Sequence, residues 1–157
     1  MKKAFSGIII ISFLIYICVL YFVLFSRRGG TGFSMPTMQY LRFNANFIPF
    51  KTIWTYLNML TDGGVFTKIA IENLAGNLFL FLPLGFYFPF LMQKMKRLGF
   101  LMISVAGLII AVEVMQGLTR LGSIDVDDLI LNLSGALIGF VLCNHTPIRS
   151  LFKYRAY

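Results

Sequence analysis

The sequence predicts an all-α, polytopic integral membrane protein with four transmembrane helices in one bundle. Three observations support this prediction: 58% of the 157 residues are hydrophobic and only 13% are charged, and the mean hydropathy is +0.80. A soluble domain contains about 45–50% apolar and about 25% charged residues, so a soluble globular enzyme is excluded. The basic residues lie mostly between apolar segments, which is typical of membrane-flanking charge, and we expect no nucleic-acid partner.

Four apolar segments come close to the length of about 20 residues that a helix needs to cross the hydrocarbon. The expected spans are residues 4–25, 69–92, 99–118 and 126–144 of a single domain that covers residues 1–157. The first span ends in bulky residues instead of a signal-peptide cleavage site, so we expect it to stay attached as an anchor. The fourth span is short unless it recruits residues 125–128, which draws carboxylates toward the hydrocarbon boundary.

The loop of residues 26–68 connects the first two spans. Ile53, Leu57 and Leu60 recur in it at helical spacing, and Trp54 and Tyr56 lie nearby. Residues 50–60 are therefore predicted to form a short helix at the membrane interface, with its aromatic side chains at headgroup level.

The basic residues favour one orientation of the chain. Four spans place both termini on one side, which carries eight basic residues against six on the opposite side. The positive-inside rule therefore favours cytoplasmic termini, although Arg27 and Arg28 directly after the first span reduce the difference. In this orientation the 26–68 loop is extracytoplasmic.

Polar side chains concentrate at the ends of the spans that face the 26–68 loop. Five of the six acidic residues lie there: Glu72, Glu113, Asp125, Asp127 and Asp128. The same ends carry Asn73, Asn77, Gln116, Arg120 and Asn132. Ionisable groups are costly inside a membrane, so their presence indicates a functional site. Their structural alternatives are amides that join helices, an ion pair of Arg120 with Glu113 or Asp125, a solvated Asp127, and a Glu72 that only favours a helix dipole.

Helical spacing arranges these residues in three polar stripes that should turn away from lipid. Asn73 and Asn77 share one face, and Glu113, Gln116 and Arg120 share another. The third stripe runs through Asp125, Asp128, Asn132, Gly135 and Gly139. We expect Gly135 and Gly139 to let a neighbouring backbone approach closely, and Gly76 to do the same.

Several segments together resemble the VanZ-like family of small bacterial membrane proteins. They are residues 46–50 (NFIPF), 73–86 (NLAGNLFLFLPLGF) and 113–116 (EVMQ), Arg120, and residues 125–139 (DVDDLILNLSGALIG). The last segment is the most specific, although Leu133 stands where a threonine is more usual. The resemblance implies a connection with resistance to teicoplanin, a lipid-bearing glycopeptide that acts on the cell wall. It also implies a relation to membrane proteins proposed to act on phospholipid or lipid-carrier headgroups.

We therefore hypothesise a site at the outer leaflet that binds or modifies the headgroup of a phosphate-containing lipid or lipid-linked wall precursor, as a hydrolase or transferase would. Arg120 would bind the phosphate, and Glu113 would act as a general acid or base. Asp125 and Asp128 would act in catalysis by orienting the nucleophile or by binding Mg²⁺ or Ca²⁺. The supporting residues would be Asn73, Asn77, Gln116, Asp127 and Asn132.

Two other function classes stay open. A non-catalytic scaffold or binding protein would alter the access of the antibiotic or precursor, and the polar cluster would then be only structural. A transporter or channel is disfavoured because the polar residues stop in one leaflet, although a homo-oligomer would supply more spans.

Overall fold

The computed structural model describes residues 2–26 and 36–145, with the side chains of residues 7–25 and 36–144. Within these residues the helices are α1 (Lys2–Ser26), α2 (Thr37–Asn44), α3 (Lys51–Asp62), α4 (Gly64–Leu91), a short 3₁₀ helix (Gln93–Lys96), α5 (Leu98–Thr119) and α6 (Val126–His145). The described residues contain no strand, and an isolated parallel bridge joins Asn46 to Asp125. The all-helical prediction is confirmed.

Four of these helices contain segments that are long and apolar enough to cross a membrane: Gly7–Phe25, Gly64–Leu91, Leu98–Thr119 and Val126–Asn144. The four predicted spans are confirmed, and the chain is a multi-pass membrane protein. The second span begins at Gly64, before the predicted residue 69. Gly63 and Gly64 have φ angles of 77° and 63°, a left-handed conformation that glycine adopts without steric cost, so the chain turns there and α4 starts at once.

Two short helices lie in the loop before α4. The helix predicted over residues 50–60 is confirmed as α3, whereas α2 was not predicted because its eight residues make only about two turns, too short for a repeating pattern. The orientation prediction also used Arg27, Arg28, Arg149, Lys153 and Arg155, which lie outside the described residues. The orientation therefore stays a prediction.

The chain forms two compact units, each of which has its own contacts. The core unit consists of Asn46–Val112 and Asp125–Tyr157, and the N-terminal unit consists of Met1–Ala45 and Glu113–Ile124. Helix α5 passes from one unit into the other between Val112 and Glu113. In the core unit, α4 packs against α3 and α6. The prediction of a single domain stays a prediction.

Glycines allow α4 and α6 to approach closely. A Cβ atom on Gly135 would lie 2.0 Å from the carbonyl oxygen of Leu78, and one on Gly139 would lie 2.0 Å from that of Leu82. The predicted role of these two glycines is confirmed. The expectation for Gly76 is wrong, because a Cβ there would meet nothing within 4 Å. Gly85 instead supplies the close approach on α4, where a Cβ would lie 2.0 Å from the carbonyl oxygen of Ala136.

Candidate functional site

Asp125 holds the start of α6 in the core unit. It directly precedes the first helical residue, and its Oδ1 accepts a hydrogen bond from the backbone N–H of Asp127 at 2.8 Å, as an aspartate N-cap does. The same oxygen accepts from Asn46 Nδ2 at 2.9 Å, and Oδ2 accepts from Thr52 Oγ1 at 2.7 Å. Asp125 therefore precedes the helical stripe predicted for it, and it links the start of α6 to Asn46 and to the first turn of α3.

Asp127 caps α3 from a neighbouring helix. Its side chain is fully buried, at 0% exposure. Its Oδ1 accepts from the backbone N–H of Phe50 at 2.5 Å, and its Oδ2 accepts from those of Thr52 and Ile53 at 2.6 and 3.1 Å. The first N–H groups of a helix have no partner within that helix, and they favour a negative charge. Asp127 is therefore not solvated, which was one of the alternatives.

Phe50, the residue directly before α3, has an unusual backbone conformation at this cap. Its φ angle is 66°, in the left-handed region where a bulky side chain is strained. The conformation presents the Phe50 N–H to Asp127, beside the N–H groups of Thr52 and Ile53. Neighbouring backbone N–H groups in such a turn form a concave anion-binding site, and here the bound anion is the chain's own carboxylate.

Asn46 and Thr52 complete the network, and the sequence analysis did not assign either of them to the site. Asn46 Nδ2 also donates to Thr52 Oγ1 at 3.0 Å, and its Oδ1 accepts from the Ile48 N–H at 3.1 Å, as in an Asx turn. The Asn46 carbonyl accepts from the Val126 N–H at 3.0 Å. Asn46 stood in a segment that matched the family, but its partner Asp125 lies 79 residues away along the chain.

Asp128 and Asn77 join α6 to α4. Asn77 Nδ2 donates a hydrogen bond to Asp128 Oδ1, and both side chains are buried. The predicted inward turn of these two polar stripes is therefore confirmed for this pair.

Asn132 lies one turn after Asp128 on α6. Its side chain is only 3% exposed, and its Oδ1 has no hydrogen-bond partner among the described residues. Buried polar atoms almost always have a partner, so such an atom requires an explanation. The contact of Asp128 with Asn77 and that of Gly135 with Leu78 place this face of α6 against α4.

Two predicted residues on α4 have their described contacts elsewhere. The Nδ2 atom of Asn73 donates to the carbonyl of Ile69, one turn earlier in the same helix, at 2.8 Å. Glu72 is exposed and lies 3.9 Å from Lys68 Nζ, an ion pair at i,i+4 spacing. Exposed pairs of this kind contribute little to stability. These contacts of Asn73 and Glu72 lie within α4, so they do not connect either residue to Asp128.

Glu113 and Gln116 lie on the last part of α5, in the N-terminal unit. Both are buried, Glu113 at 7% and Gln116 at 1% exposure. Gln116 Nε2 donates to the carbonyl oxygen of Leu24 at 2.8 Å. That carbonyl belongs to the last turn of α1, where helical carbonyls have no partner in their own helix. Gln116 therefore connects the ends of two spans.

Arg120 lies beyond the end of α5, so it does not continue the stripe of Glu113 and Gln116 as predicted. Its φ angle is 58°, and the following N–H groups of Leu121 and Gly122 donate back to the Gln116 carbonyl at 3.0 and 3.3 Å. Glycine usually occupies such a left-handed position after a helix. A strained arginine there suggests that its side chain is used.

Two donors of the Arg120 guanidinium converge on the hydroxyl oxygen of Thr37. Nε and Nη2 donate to Thr37 Oγ1 at 3.3 and 2.8 Å. Within the same unit, Tyr40 Oη donates to the carbonyl of Gly122 at 3.2 Å. Helix α2 thereby contacts the turn that carries Arg120. Neither Thr37 nor Tyr40 was a candidate, because α2 was not predicted.

The metal prediction rests on Asp125 and Asp128. The described part of the chain contains no group of three or more His, Cys, Asp or Glu side chains that could hold a metal ion. Both Asp125 oxygens accept hydrogen bonds from chain donors. A cation bound by these two carboxylates would need further oxygen ligands, since Mg²⁺ and Ca²⁺ take six or more. The divalent cation stays a prediction.

The sequence is similar to a known protein family. A family model described as VanZ/LLP1 matches residues 13–150, nearly the whole chain. No curated protein and no solved structure matches the chain significantly.

Proposed function

Because the chain belongs to the VanZ/LLP1 family, we propose that it binds or modifies the headgroup of a phosphate-containing lipid or lipid-linked wall precursor at the outer leaflet. The resemblance to VanZ-like proteins connects such a function with teicoplanin resistance. An antibiotic that carries a lipid and acts on the wall meets these headgroups at the membrane surface, so a changed or bound headgroup would alter its action.

The observation that carries this proposal is the burial of polar side chains between α4 and α6. Asn77, Asp128 and Asn132 are all buried in helices that are otherwise apolar enough to cross a membrane. Polar and ionisable groups are expensive there, and a purely structural contact between two helices does not require a carboxylate. This favours a role in ligand binding or chemistry.

The contacts support different roles for the three aspartates of residues 125–128. Asp125 and Asp127 are occupied by donors that fix α6 and α3, so we assign them positioning roles. Asp128 is the carboxylate proposed to orient a nucleophile or carry a proton, with Asn77 holding it in place.

In the N-terminal unit, Arg120 is the proposed phosphate-binding residue. Two of its donors already converge on the hydroxyl oxygen of Thr37, and a phosphate oxygen is a better acceptor for the same planar fork. Glu113, buried in that unit, is the proposed general acid or base.

The competing proposal is a scaffold that alters antibiotic or precursor access. The hydrogen bonds of Asp125 and Asp127 favour it, because both carboxylates serve the fold. Asp128→Asn separates the two proposals. The new amide oxygen can still accept from Asn77 Nδ2, whereas the carboxylate charge is lost.

The test is the teicoplanin susceptibility of a sensitive Gram-positive host that expresses each variant at an equal membrane level. We expect the wild-type chain to raise the inhibitory concentration and Asp128→Asn to return it to the value of the empty vector. The matched control is Asp62→Asn, at the exposed end of α3, which should retain the wild-type value. Full resistance with Asp128→Asn would favour the scaffold.

A further inference from the structure

The buried carbonyl of Asn132 indicates which part of a lipid the α4–α6 site binds. Its Oδ1 lacks a hydrogen-bond partner within the described residues, and Asn132 is only 3% exposed. An unsatisfied acceptor in an apolar interface loses its hydration without compensation. A donor from outside the chain would remove that cost.

The neighbouring group has the same hydrogen-bonding character. Asp128, one turn earlier on the same face of α6, accepts from Asn77 Nδ2, and a carboxylate can accept several hydrogen bonds at once. Two acceptors, one of them a carboxylate, are suited to an N–H or O–H donor and not to a phosphate oxygen. The phosphate therefore belongs elsewhere.

We propose that Asn132 and Asp128 accept hydrogen bonds from the amine or hydroxyl group of a phospholipid headgroup. This inference rests on the proposed function and adds the chemical class of the group that is recognised. The two side-chain torsions of Asn132 allow its carbonyl to turn toward an entering donor. A single N–H or O–H group is the part of the headgroup that must reach it.

The wild-type protein provides the first test. We would titrate the full chain, purified in a mild detergent, with dioleoyl phospholipids and count bound lipids by native mass spectrometry. Phosphatidylethanolamine and its N,N-dimethyl derivative carry N–H donors, whereas phosphatidylcholine has the same net charge and none. We expect the first two to bind about tenfold more tightly than phosphatidylcholine, which is about 1.4 kcal/mol. Phosphatidylglycerol carries hydroxyl groups in place of the amine, so its binding at physiological salt tests whether a hydroxyl group is the donor.

The variant Asn132→Leu removes the carbonyl, and it should fold because leucine suits an apolar helix interface. We expect it to bind the amine-bearing lipids and phosphatidylcholine about equally. The matched control is Asn58→Leu, the same substitution at an exposed position of α3 outside the proposed site, and it should keep the tenfold preference. If Asn132→Leu fails to fold, Asn132→Ala takes its place.

The outcomes separate the inference from the function on which it rests. Saturable binding of all the phospholipids with equal affinity would overturn the inference alone, and the absence of saturable binding would overturn the proposed function as well. A preference that persists in Asn132→Leu, with a lower melting temperature, would show that the carbonyl serves the fold through a buried water, which also overturns the inference.

Discussion

The three aspartates at the start of α6 differ in what donates to them. Asp127 accepts hydrogen bonds from the first N–H groups of α3. Asp125 accepts them from the side chains of Asn46 and Thr52 and from an N–H group of α6. Asp128 accepts one from the side chain of Asn77. A carboxylate whose oxygens already accept hydrogen bonds from donors of the chain has less capacity left to accept from a ligand. Identical side chains within four positions therefore make different contacts, which is the basis for the different roles proposed for them.

At the residue scale, Asp127→Asn should destabilise the core unit. An amide has one oxygen, so its Nδ2 would face a backbone N–H of α3 and leave that donor unsatisfied. We expect the free energy of unfolding to fall by about 2–3 kcal/mol. Thermal unfolding can be followed by the fluorescence of Trp54, the one tryptophan of the chain, which lies on α3 and is 66% exposed.

The control for this measurement is Asp62→Asn, which lies at the opposite, exposed end of α3 and should not change the melting temperature. An unchanged melting temperature with Asp127→Asn would show that the cap contributes little to stability.

At the scale of elements, small residues determine how closely α4 and α6 pack. Lipid provides no hydrophobic driving force between helices, so close backbone contact and interhelical hydrogen bonds hold them together. Gly85, Gly135 and Gly139 supply the contact, and Asn77 in the middle of α4 supplies a hydrogen bond to Asp128 at the start of α6. The same close packing keeps the polar side chains away from lipid.

Gly135→Ala should disrupt this packing. Its Cβ would lie 2.0 Å from the Leu78 carbonyl oxygen, a backbone atom that can move only with its helix. We expect a loss of about 1–3 kcal/mol in the free energy of unfolding, measured as a lower melting temperature in detergent. Gly76→Ala is the matched control, since its Cβ meets nothing within 4 Å and alanine has the higher helix propensity. Equal melting temperatures for both variants would contradict the proposed role of Gly135.

At the scale of the whole molecule, the side of the membrane that carries the polar residues decides which lipids are available. The basic residues favour cytoplasmic termini, with eight against six. An outer-leaflet site depends on that orientation, because wall precursors that meet an extracellular antibiotic lie in the outer leaflet.

The orientation can be measured by cysteine labelling in a background without Cys18 and Cys143. We expect Asn58→Cys on α3 and Thr119→Cys at the end of α5, both at exposed positions, to react with a membrane-impermeant thiol reagent in intact cells. Lys94→Cys, in the short loop between α4 and α5, should react only after lysis. The reverse pattern would place the polar residues in the cytoplasm and direct the search to lipids of the inner leaflet.

The sequence by itself determined the fold class, the four spans, the helix α3, the family, and the close approach at Gly135 and Gly139. These features follow from local composition and from helical spacing, which are contained in short segments of chain. The tertiary structure decided which helix each polar residue contacts. Asp127 caps α3 and Gly85 replaces Gly76 because hydrogen bonds and backbone contacts between residues tens of positions apart depend on how helices pack. The left-handed turn at Arg120 likewise depends on the folded chain, as does the Asn132 carbonyl, which has no partner in the part of the chain that the structure describes.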